Sequence, residues 1–223
     1  MEFPRTLSER IYLHLKDSII KGKIKSNQVI LEKEIAESFG VSITPVREAL
    51  RRLAGEGLIQ KKSHKVSLVK MASYNELKEI YNIINSLDEL SICTAVMNIS
   101  EEALEEIEKM TDELEALLRK EKIKEYLEIN LKLHLKICQG SNQKFLYKTL
   151  SYLFDNLAIY SALRIYLLSK SDCLDQDLIE HRHLLEGLKT RDKKKVMQFS
   201  KRHWIGLLPS YEEWEEYIEN QKK

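Results

Sequence analysis

The apolar residues near the N-terminus recur every four positions. They are Leu7, Ile11, Leu15 and Ile19. Residues four apart are neighbours on one face of an α-helix, so this stripe predicts a first helix. We expect that helix to end near Gly22. Because the stripe has to pack inward, we interpret the helix as a support for the segment that follows it.

Residues 34–53 have the pattern of two helices joined by a sharp turn. Gly40 lies between them and supplies the backbone freedom that a short turn needs. The apolar face of the second helix consists of Val46, Leu50 and Leu53. Arg47 and Arg51 fall on another face, which leaves them exposed to solvent. This is the pattern of a helix-turn-helix, whose second helix enters the major groove of DNA.

Both ends of the second helix carry further signals. We expect Thr44 to cap the helix, with Pro45 at the first helical position, where a missing N–H costs nothing. Two short β-like runs follow at residues 58–61 and 66–69. The residues between them, 62–65, are Lys-Ser-His-Lys and form a basic tip. Together these features predict a winged helix-turn-helix whose tip reaches the DNA backbone or the minor groove.

Charge divides the chain into two parts. Residues 1–72 hold 14 Lys and Arg against 8 Asp and Glu, whereas residues 73–223 hold 22 against 27. The net charge of +1 therefore conceals a basic module joined to an acidic one, and a basic module is typical of a nucleic-acid binder. We predict a DNA-binding domain at 1–72 and a second domain at 73–223. No apolar run approaches about 18 residues and no signal segment is visible, so we expect a cytoplasmic protein without a membrane span.

From residue 73 onward the chain shows helical periodicity and almost no turn residues. A long fourth helix is predicted by a stripe that consists of Leu77, Ile80, Ile84, Leu87 and Ser91. Further helical patterns cover 101–119, 122–138, 142–150, 152–169, 175–190 and 192–207, with a short tail helix after Pro209. We therefore expect a mainly α protein, in which the winged domain is followed by an all-α bundle of six or seven helices.

One group of residues in the predicted bundle has the composition of a metal site. Asn130 and His134 are four apart, so both point the same way from one helix. His181 precedes the predicted turn at 190–192 by about 10 residues and His203 follows it by about 11, which gives the two rings a similar height in a helical hairpin. Three imidazoles and one oxygen donor suit Zn²⁺ or another divalent metal. On spacing alone, ordinary structural or surface histidines remain the alternative.

The N-terminal motifs resemble the DNA-binding domain of GntR-type bacterial transcription regulators. The similarity runs from Leu7 to Val69 and includes Ile20-Lys21-Gly22-Lys23-Ile24, Leu31-Glu32-Lys33-Glu34-Ile35-Ala36 and Thr44-Pro45-Val46-Arg47-Glu48-Ala49-Leu50. In that family the start of the recognition helix, one residue on the preceding helix and the wing tip touch the operator. The resemblance assigns these roles to Lys33, Ser42, Thr44, Arg47 and His64.

Two places depart from the pattern of that family. Ile43 stands where an arginine is usual, and His64-Lys65 stand where the wing usually has a glycine. The first change removes a guanine contact, whereas Ile43 can touch a thymine methyl group. Arg51, on the exposed face of the recognition helix, and Lys65, in the basic tip, complete the predicted DNA-binding set.

The second domain resembles the effector domain called FCD, which accompanies GntR-type DNA-binding domains. The resemblance is carried by Asn130-Leu131-Lys132-Leu133-His134, by Glu180-His181-Arg182-His183-Leu184-Leu185-Glu186 and by His203. Many members bind a metal through one aspartate and three histidines at these places. The resemblance therefore implies a metal site formed by Asn130, His134, His181 and His203. Zn²⁺ is the expected ion, with Ni²⁺ and Mn²⁺ as alternatives.

This domain also departs from its family at two positions. Asn130 stands where the aspartate is expected, and an amide oxygen can ligate a metal but brings no charge, so we expect Asn130→Asp to tighten metal binding. Ile84 stands where members that sense carboxylic acids often carry an arginine. We consider Arg164 as a substitute that binds an anionic effector, with an ordinary surface arginine as the alternative.

These features predict a dimeric transcription regulator, a repressor, that binds double-stranded DNA at a palindromic operator. We expect a small metabolite, such as a carboxylate, to modulate operator affinity from the metal-containing site of the helical domain. One alternative is a DNA-binding dimer without a ligand, which Asn130 and Ile84 would favour. Another is a metal-dependent hydrolase joined to a DNA-binding domain. The lack of an acidic residue at the spacing of a general base counts against the hydrolase.

Overall fold

The structure, a computed structural model, describes residues 6–20, 23–25, 27–63, 66–70, 73–158, 160–169, 173–201 and 203–220. The chain divides into two compact units, whose main boundary lies between Ser73 and Tyr74. Two residues of the predicted DNA-binding set, His64 and Lys65, lie outside the described residues. Within the described ranges, no helix is both long and apolar enough to cross a membrane.

The N-terminal unit is a winged helix-turn-helix. Its elements are α1 (Leu7–Ile20), β1 (Val29–Leu31), α2 (Glu32–Phe39), α3 (Ile43–Gly55), β2 (Ile59–Lys61) and β3 (Val66–Val69). The central strand of the sheet is β3, which pairs antiparallel with both β1 and β2. The sequence analysis missed β1, which consists of three residues directly before α2.

The core of this unit forms where α1 packs against α3. Ile11 and Leu15 of α1 and Leu50 and Leu53 of α3 are almost completely buried, as their periodicity predicts. Burial of each such side chain contributes roughly 1.5–3 kcal/mol to stability. Leu7, the first residue of α1, is 51% exposed and lies beyond the packed part of the stripe.

The turn between α2 and α3 depends on Gly40, whose φ of 63° lies in the left-handed region that favours glycine. The predicted start of the second helix was wrong by two residues. Helix α3 begins at Ile43 with Ser42 as its N-cap, so Thr44 lies inside the first turn. Pro45 is then the third helical residue, a tolerated position because the N–H groups of the first turn have no acceptor within the helix.

The second unit is built of helices. They are α4 (Tyr74–Ala95), α5 (Glu101–Arg119), α6 (Ile123–Gly140), α7 (Lys144–Ala158), α8 (Ser161–Leu168), α9 (Cys173–Lys189), α10 (Lys193–Ser200), α11 (His203–Gly206) and α12 (Tyr211–Asn220). The described part of this unit thus has nine helices, where six or seven were predicted. The larger number arises because the predicted helix 192–207 is two helices, α10 and α11, and because the tail helix, α12, is included.

Two predicted helix boundaries were wrong. Helix α7 continues through Ser151, where a break was expected, and the chain is interrupted between α7 and α8 instead. The predicted helix 192–207 is divided into α10 and α11. Neither interruption contains a glycine or a proline, the residues by which breaks are recognised in a sequence.

A polar core lies where α4, α6, α9 and α11 meet. Helix α4 packs against α6 and α11, and α11 also packs against α9. The buried face of α4 includes Tyr81 and Asp88, whereas Ile80 and Leu87 of the predicted stripe are only half-buried. The observed face is therefore rotated relative to the predicted one, and it carries an acidic side chain into the interior.

Candidate DNA-binding surface and metal centre

The predicted DNA-contacting residues that the structure describes are all exposed. Lys33 lies on α2, and the rest lie at the start of α3 or along it. These are Ser42, Ile43, Thr44, Arg47 and Arg51. Ile43 is 41% exposed although it is apolar. This segment of the helix-turn-helix therefore offers both cationic and apolar side chains to a groove of DNA.

The three arginines of α3 have different surroundings. Arg47 donates from Nε to a carboxylate oxygen of Glu32 at 2.8 Å, and Glu32 is almost completely buried. Arg51 is exposed and has no ion pair or hydrogen bond with other described side chains. Arg52 stacks on Tyr12, with its guanidinium carbon 3.8 Å from the ring centroid. The ion pair with Glu32 thus orients Arg47, whereas no described side chain constrains Arg51. Arg52 contributes to the packing of α3 on α1.

Three histidines from three helices meet in the second unit. His134 lies on α6, His181 on α9 and His203 on α11, and all three are buried. Nε2 of His134 lies 3.1 Å from Nε2 of His203 and 3.2 Å from Nε2 of His181. The sequence prediction that these histidines come together therefore agrees with the geometry of the fold.

The other ring nitrogen of each histidine faces an acceptor. Nδ1 of His134 lies 2.7 Å from a carboxylate oxygen of Asp88, and Nδ1 of His203 lies 2.8 Å from a carboxylate oxygen of Glu180. Nδ1 of His181 lies 2.8 Å from the backbone carbonyl oxygen of Asp177. A neutral ring with its proton on Nδ1 would direct that proton toward the nearby oxygen. In this tautomer the lone pairs of the three Nε2 atoms converge.

This arrangement fits a divalent metal. Ligating histidines usually donate their second ring N–H to a carboxylate or a backbone carbonyl. Nδ1 of His181 and Nδ1 of His203 make hydrogen-bond contacts with such oxygens, and Nδ1 of His134 lies close to one. For metal–nitrogen bonds of about 2.1 Å and bond angles of about 90–109°, neighbouring ligand nitrogens lie about 3.0–3.4 Å apart. The two measured Nε2 separations lie in that range. Three unprotonated lone pairs in a buried space would repel one another without a cation between them.

Burial and nearby charges shift the pKa values of the groups around the triad. Burial lowers the pKa of His181 to about 3, so its ring is neutral at pH 7. Burial alone would raise the pKa of Asp88 and of Asp177, but the adjacent histidine rings lower both pKa values below the ordinary one. Burial opposes protonation of His203, whereas Asp177 and Glu180 favour it, and its pKa is raised. The triad is therefore surrounded by ionised carboxylates.

Trp204 follows His203 in α11 and packs directly on the triad. Its indole N–H donates to the same oxygen of Asp88 that contacts His134, at 2.8 Å. The indole ring is fully buried, with its centroid 4.8 Å from that of His134 and 5.7 Å from that of His203. Asp88 therefore joins α4 to both α6 and α11.

Asn130 and Arg164 occupy unusual polar environments. Asn130 is fully buried one turn before His134, and neither atom of its amide has a hydrogen-bond partner among the described residues. Arg164 is also buried, which corrects the alternative that it is a surface residue. Its Nε and one terminal nitrogen have no partner in the described ranges, and its guanidinium carbon lies 6.0 Å from the ring centroid of Tyr81.

Arg164 lines a cavity of about 160 Å³ in the same unit. The walls are largely apolar and include Leu167, Leu168 and Leu207. Glu213 also lines the cavity. A buried guanidinium with two unpartnered nitrogens is costly, since a charge removed from water needs compensation. An anion bound in this cavity would supply hydrogen-bond acceptors and a compensating charge.

Sequence reasoning missed the acidic residues that hold the histidines. Asp177 lies four residues before His181, a spacing that predicts one face of a helix, and Asp88 lies one turn after Ile84 in the apolar stripe of α4. Both signals were present in the sequence. They were overlooked because an acidic residue in a helix is most often solvated.

Comparison with known proteins identifies the family. Residues 7–69 match the family described as bacterial regulatory proteins, gntR family. Residues 79–205 match the FCD domain. The chain belongs to the GntR family and carries an FCD domain. It is a DNA-binding transcriptional regulator and not an enzyme, which sets aside the hydrolase alternative.

The similarity to GntR-family relatives extends over most of the chain. The uncharacterized HTH-type transcriptional regulator YdhC of Bacillus subtilis is 28% identical over 196 residues, 87% of this chain and 86% of that protein. McbR of Escherichia coli is 27% identical over 195 residues, 85% of each chain. The gluconate operon transcriptional repressor of B. subtilis is 23% identical over 192 residues, 85% of this chain and 78% of that protein. The solved structure of E. coli McbR/YncC superposes with a TM-score of 0.76 at 23% identity and covers 96% of this chain and 100% of that chain.

Proposed function

We propose that this GntR-family regulator is a cytoplasmic homodimeric repressor whose affinity for a palindromic operator is set by a small anionic metabolite. The metabolite, a carboxylate, binds in the helical unit next to a divalent metal ion held by His134, His181 and His203. Zn²⁺ is the ion we expect, with Ni²⁺ and Mn²⁺ as alternatives. A metal of this kind supplies open coordination positions for an oxygen ligand.

The convergence of three Nε2 atoms is the observation that carries the metal site. With its proton on Nδ1, opposite an oxygen, each ring would offer the lone pair of its Nε2 to the same small space. The burial of all three rings excludes water from competing for those lone pairs. In that tautomer the three rings cannot donate hydrogen bonds to one another, which favours a cation between them over a purely structural cluster.

Arg164 supports an anionic effector. Its guanidinium is buried and lines the cavity of about 160 Å³, and two of its three nitrogens lack a hydrogen-bond partner among the described residues. Tyr81 lies between this arginine and Trp204, with its centroid 6.4 Å from the indole, so the cavity and the triad belong to one continuous core. A carboxylate bound there satisfies the guanidinium with charge-assisted hydrogen bonds.

The recognition helix supports a dimer on a palindrome. One α3 covers one half-site, so a two-fold dimer matches a two-fold operator. We assign the base contacts to Ser42, Ile43, Thr44 and Arg47, and the backbone contacts to Lys33 and Arg51. The wing residues His64 and Lys65 are proposed to contact the backbone or the minor groove.

Metal removal is the experiment that tests this function. We expect protein purified without chelator to contain a divalent metal by elemental analysis, and EDTA to lower its melting temperature, because an ion that binds only the folded state stabilises it. His134→Ala should remove both the metal and the effect of EDTA.

His183→Ala is the matched control. His183 is two residues from His181 but stacks on Phe199, 4.6 Å away, and takes no part in the triad. This variant should keep its metal. A wild-type protein that contains no metal, binds none when supplied with Zn²⁺ and melts unchanged in EDTA would favour the dimer without a ligand.

A further inference from the structure

Asp177 has a carboxylate oxygen that no hydrogen bond uses. The side chain is almost completely buried on α9, and its Oδ2 accepts a hydrogen bond from the hydroxyl of Tyr126 at 2.6 Å. Its Oδ1 has no hydrogen-bond partner among the described residues, and it lies 3.4 Å from Nε2 of His203. Nε2 is the atom with which His203 faces the triad. The unused oxygen is therefore directed at the edge of the proposed metal centre.

A divalent ion in the triad would need a negative charge nearby, and Oδ1 of Asp177 can supply it. Three neutral imidazoles contribute no charge, so a divalent ion would bring two uncompensated positive charges into a buried space. Asp88 and Asp177 are the nearly fully buried carboxylates that contact the triad in the described part of the chain, and Glu180 is partly exposed. Both contacts of Asp88 use its Oδ2, and its contact with His134 is to Nδ1, the ring nitrogen that does not face the other histidines. Its Oδ1 also lacks a hydrogen-bond partner among the described residues. The difference is position, because the unpartnered oxygen of Asp177 lies beside an Nε2 atom of the triad.

Asn130 is the counterpart of Asp177 on another helix. Asp177 precedes His181 by four residues on α9, and Asn130 precedes His134 by four residues on α6, so each lies one turn before a triad histidine. Asn130 is fully buried and has no polar partner in the described ranges, but its amide is neutral. Of these two equivalent positions, only the one on α9 carries a charge.

We propose that Asp177 is the anionic partner of the metal ion, in the role that an aspartate at position 130 would otherwise have. This inference rests on the proposed metal site. The hydroxyl of Tyr126 holds one carboxylate oxygen and turns the other toward the triad. The neutrality of Asn130 is then a requirement of the site, because an acid at both positions would place two unshared negative charges beside the same ion.

The inference changes the expected effect of Asn130→Asp. On sequence alone this substitution should tighten metal binding by adding a charge. With Asp177 already in place, the added carboxylate is redundant and is repelled by its neighbour, so affinity for the metal should stay the same or fall. An aspartate at 130 should help only when position 177 has been neutralised.

A charge-exchange series tests this proposal. The four proteins are the wild type, Asp177→Asn, Asn130→Asp and the double variant Asn130→Asp/Asp177→Asn. Each is stripped with EDTA, and its dissociation constant for Zn²⁺ is measured by competition with a chromogenic chelator, beside its melting temperature without metal. We expect Asp177→Asn to weaken Zn²⁺ binding about 10–100-fold, the range typical of groups that support metal ligands. The double variant should recover most of that loss, and Asn130→Asp alone should show no gain.

The controls separate charge from folding. Tyr126→Phe leaves the carboxylate of Asp177 in place but removes the hydrogen bond that orients it. We therefore expect a smaller loss of Zn²⁺ affinity than in Asp177→Asn. Zn²⁺ affinity of Asp177→Asn within twofold of wild type would overturn the role of Asp177 while leaving the metal site intact. If Asp177→Asn does not fold, the Zn²⁺ affinity of Asn130→Asp tests the proposal by itself. Binding tenfold tighter than that of the wild type would contradict the proposal. A wild type that does not bind Zn²⁺ would instead contradict the proposed function itself.

Discussion

Arg47 and Arg51 are one helical turn apart on α3, yet their side chains have different surroundings. The guanidinium of Arg47 is fixed by the buried carboxylate of Glu32, whereas Arg51 has no such partner in the described part of the chain. A fixed guanidinium is suited to reading a base edge, because its bidentate geometry must be aligned. An unconstrained one is suited to a phosphate, for which charge matters more than direction.

This difference predicts separate effects of two substitutions. Arg47→Ala should weaken operator binding by about 1–3 kcal/mol, with less effect on random DNA, since a base contact is lost. It should also lower the melting temperature, because Glu32 is left buried without its partner.

Arg51→Ala is the matched control at the same helix. It should weaken operator and random DNA alike and leave the melting temperature unchanged. Gel-shift titrations on both DNAs and thermal unfolding measure these outcomes. Equal losses on both DNAs for Arg47→Ala would show that Arg47 only neutralises phosphate.

Arg164 allows a second prediction at the level of a single residue. A carboxylate that stabilises the wild type in a thermal-shift screen should not stabilise Arg164→Gln, because the charge that binds it is gone. Arg164→Gln without ligand should be no less stable than wild type, since the substitution removes a buried, uncompensated charge. Equal ligand-induced shifts in the two proteins would exclude Arg164 from effector binding.

Single residues also show what a sequence can and cannot predict. The spacing of Asn130 and His134 and the distances of His181 and His203 from a turn indicated that the histidines could meet, and the resemblance to the FCD domain was needed to prefer this over ordinary histidines. Asp88, Asp177 and Glu180 were missed, although they hold the rings. A histidine is rare enough for its spacing to carry information, whereas acidic residues occur throughout this chain of 35 Asp and Glu. Only the fold distinguishes the buried ones.

At the scale of elements, α9 and α10 pack at very close range. A Cβ atom added to Gly187 of α9 would lie 2.8 Å from a methyl carbon of Val196 in α10 and 3.3 Å from its backbone nitrogen. Helix α9 carries His181, and α10 leads into α11, which carries His203. The close approach at Gly187 therefore lies between the helix that carries one triad histidine and the helix that leads to another.

Gly187→Ala should destabilise the helical unit. Overpacking of this kind costs about 1–3 kcal/mol, and each kcal/mol lowers the melting temperature by roughly 2–4 °C in a protein of this size. Gly206→Ala is the control within the same unit, because nothing lies within 4 Å of its added Cβ. The double variant Gly187→Ala/Val196→Ala should recover part of the loss. An unchanged melting temperature for Gly187→Ala would show that α10 can move away freely.

The elements that the sequence predicted well are those with a long apolar stripe or a glycine. Helix α5 has the predicted limits 101–119, and the turn at Gly40 lies where expected. The interruption between α7 and α8 could not be located, because no residue type marks it. Tertiary packing decides such boundaries, and periodicity in one segment carries no information about its partners.

At the scale of the whole molecule, the winged helix-turn-helix and the helical unit differ in net charge and in proposed role. The basic residues are concentrated in the part of the chain that forms the winged helix-turn-helix, and the acidic excess lies in the part that forms the helical unit. Counterion release from DNA then makes operator affinity depend steeply on salt. We do not expect the helical unit, with its acidic excess, to contact DNA. A ligand bound in that unit should therefore change operator binding only by changing the protein.

Such action must be reciprocal. If a carboxylate effector weakens operator binding by a given factor, operator DNA must weaken effector binding by the same factor, and couplings of this kind are typically about 5–150-fold. Isothermal titration of the effector into free protein and into the operator complex measures one factor, and gel-shift titrations with and without effector measure the other. Unequal factors at one salt concentration would show that the effector acts by some route other than a change in equilibrium affinity.

The position of Trp204 has an optical consequence. The chain has two tryptophans, and this one is fully buried against His134 and His203 while its N–H bonds to Asp88. Its fluorescence should therefore respond when an ion enters the triad. Paramagnetic Ni²⁺ or Mn²⁺ would quench the emission strongly at this range, whereas Zn²⁺, with a filled d shell, would alter it mainly through the local field. The fluorescence of Trp204 should thus distinguish a bound paramagnetic ion from bound Zn²⁺ without an added label.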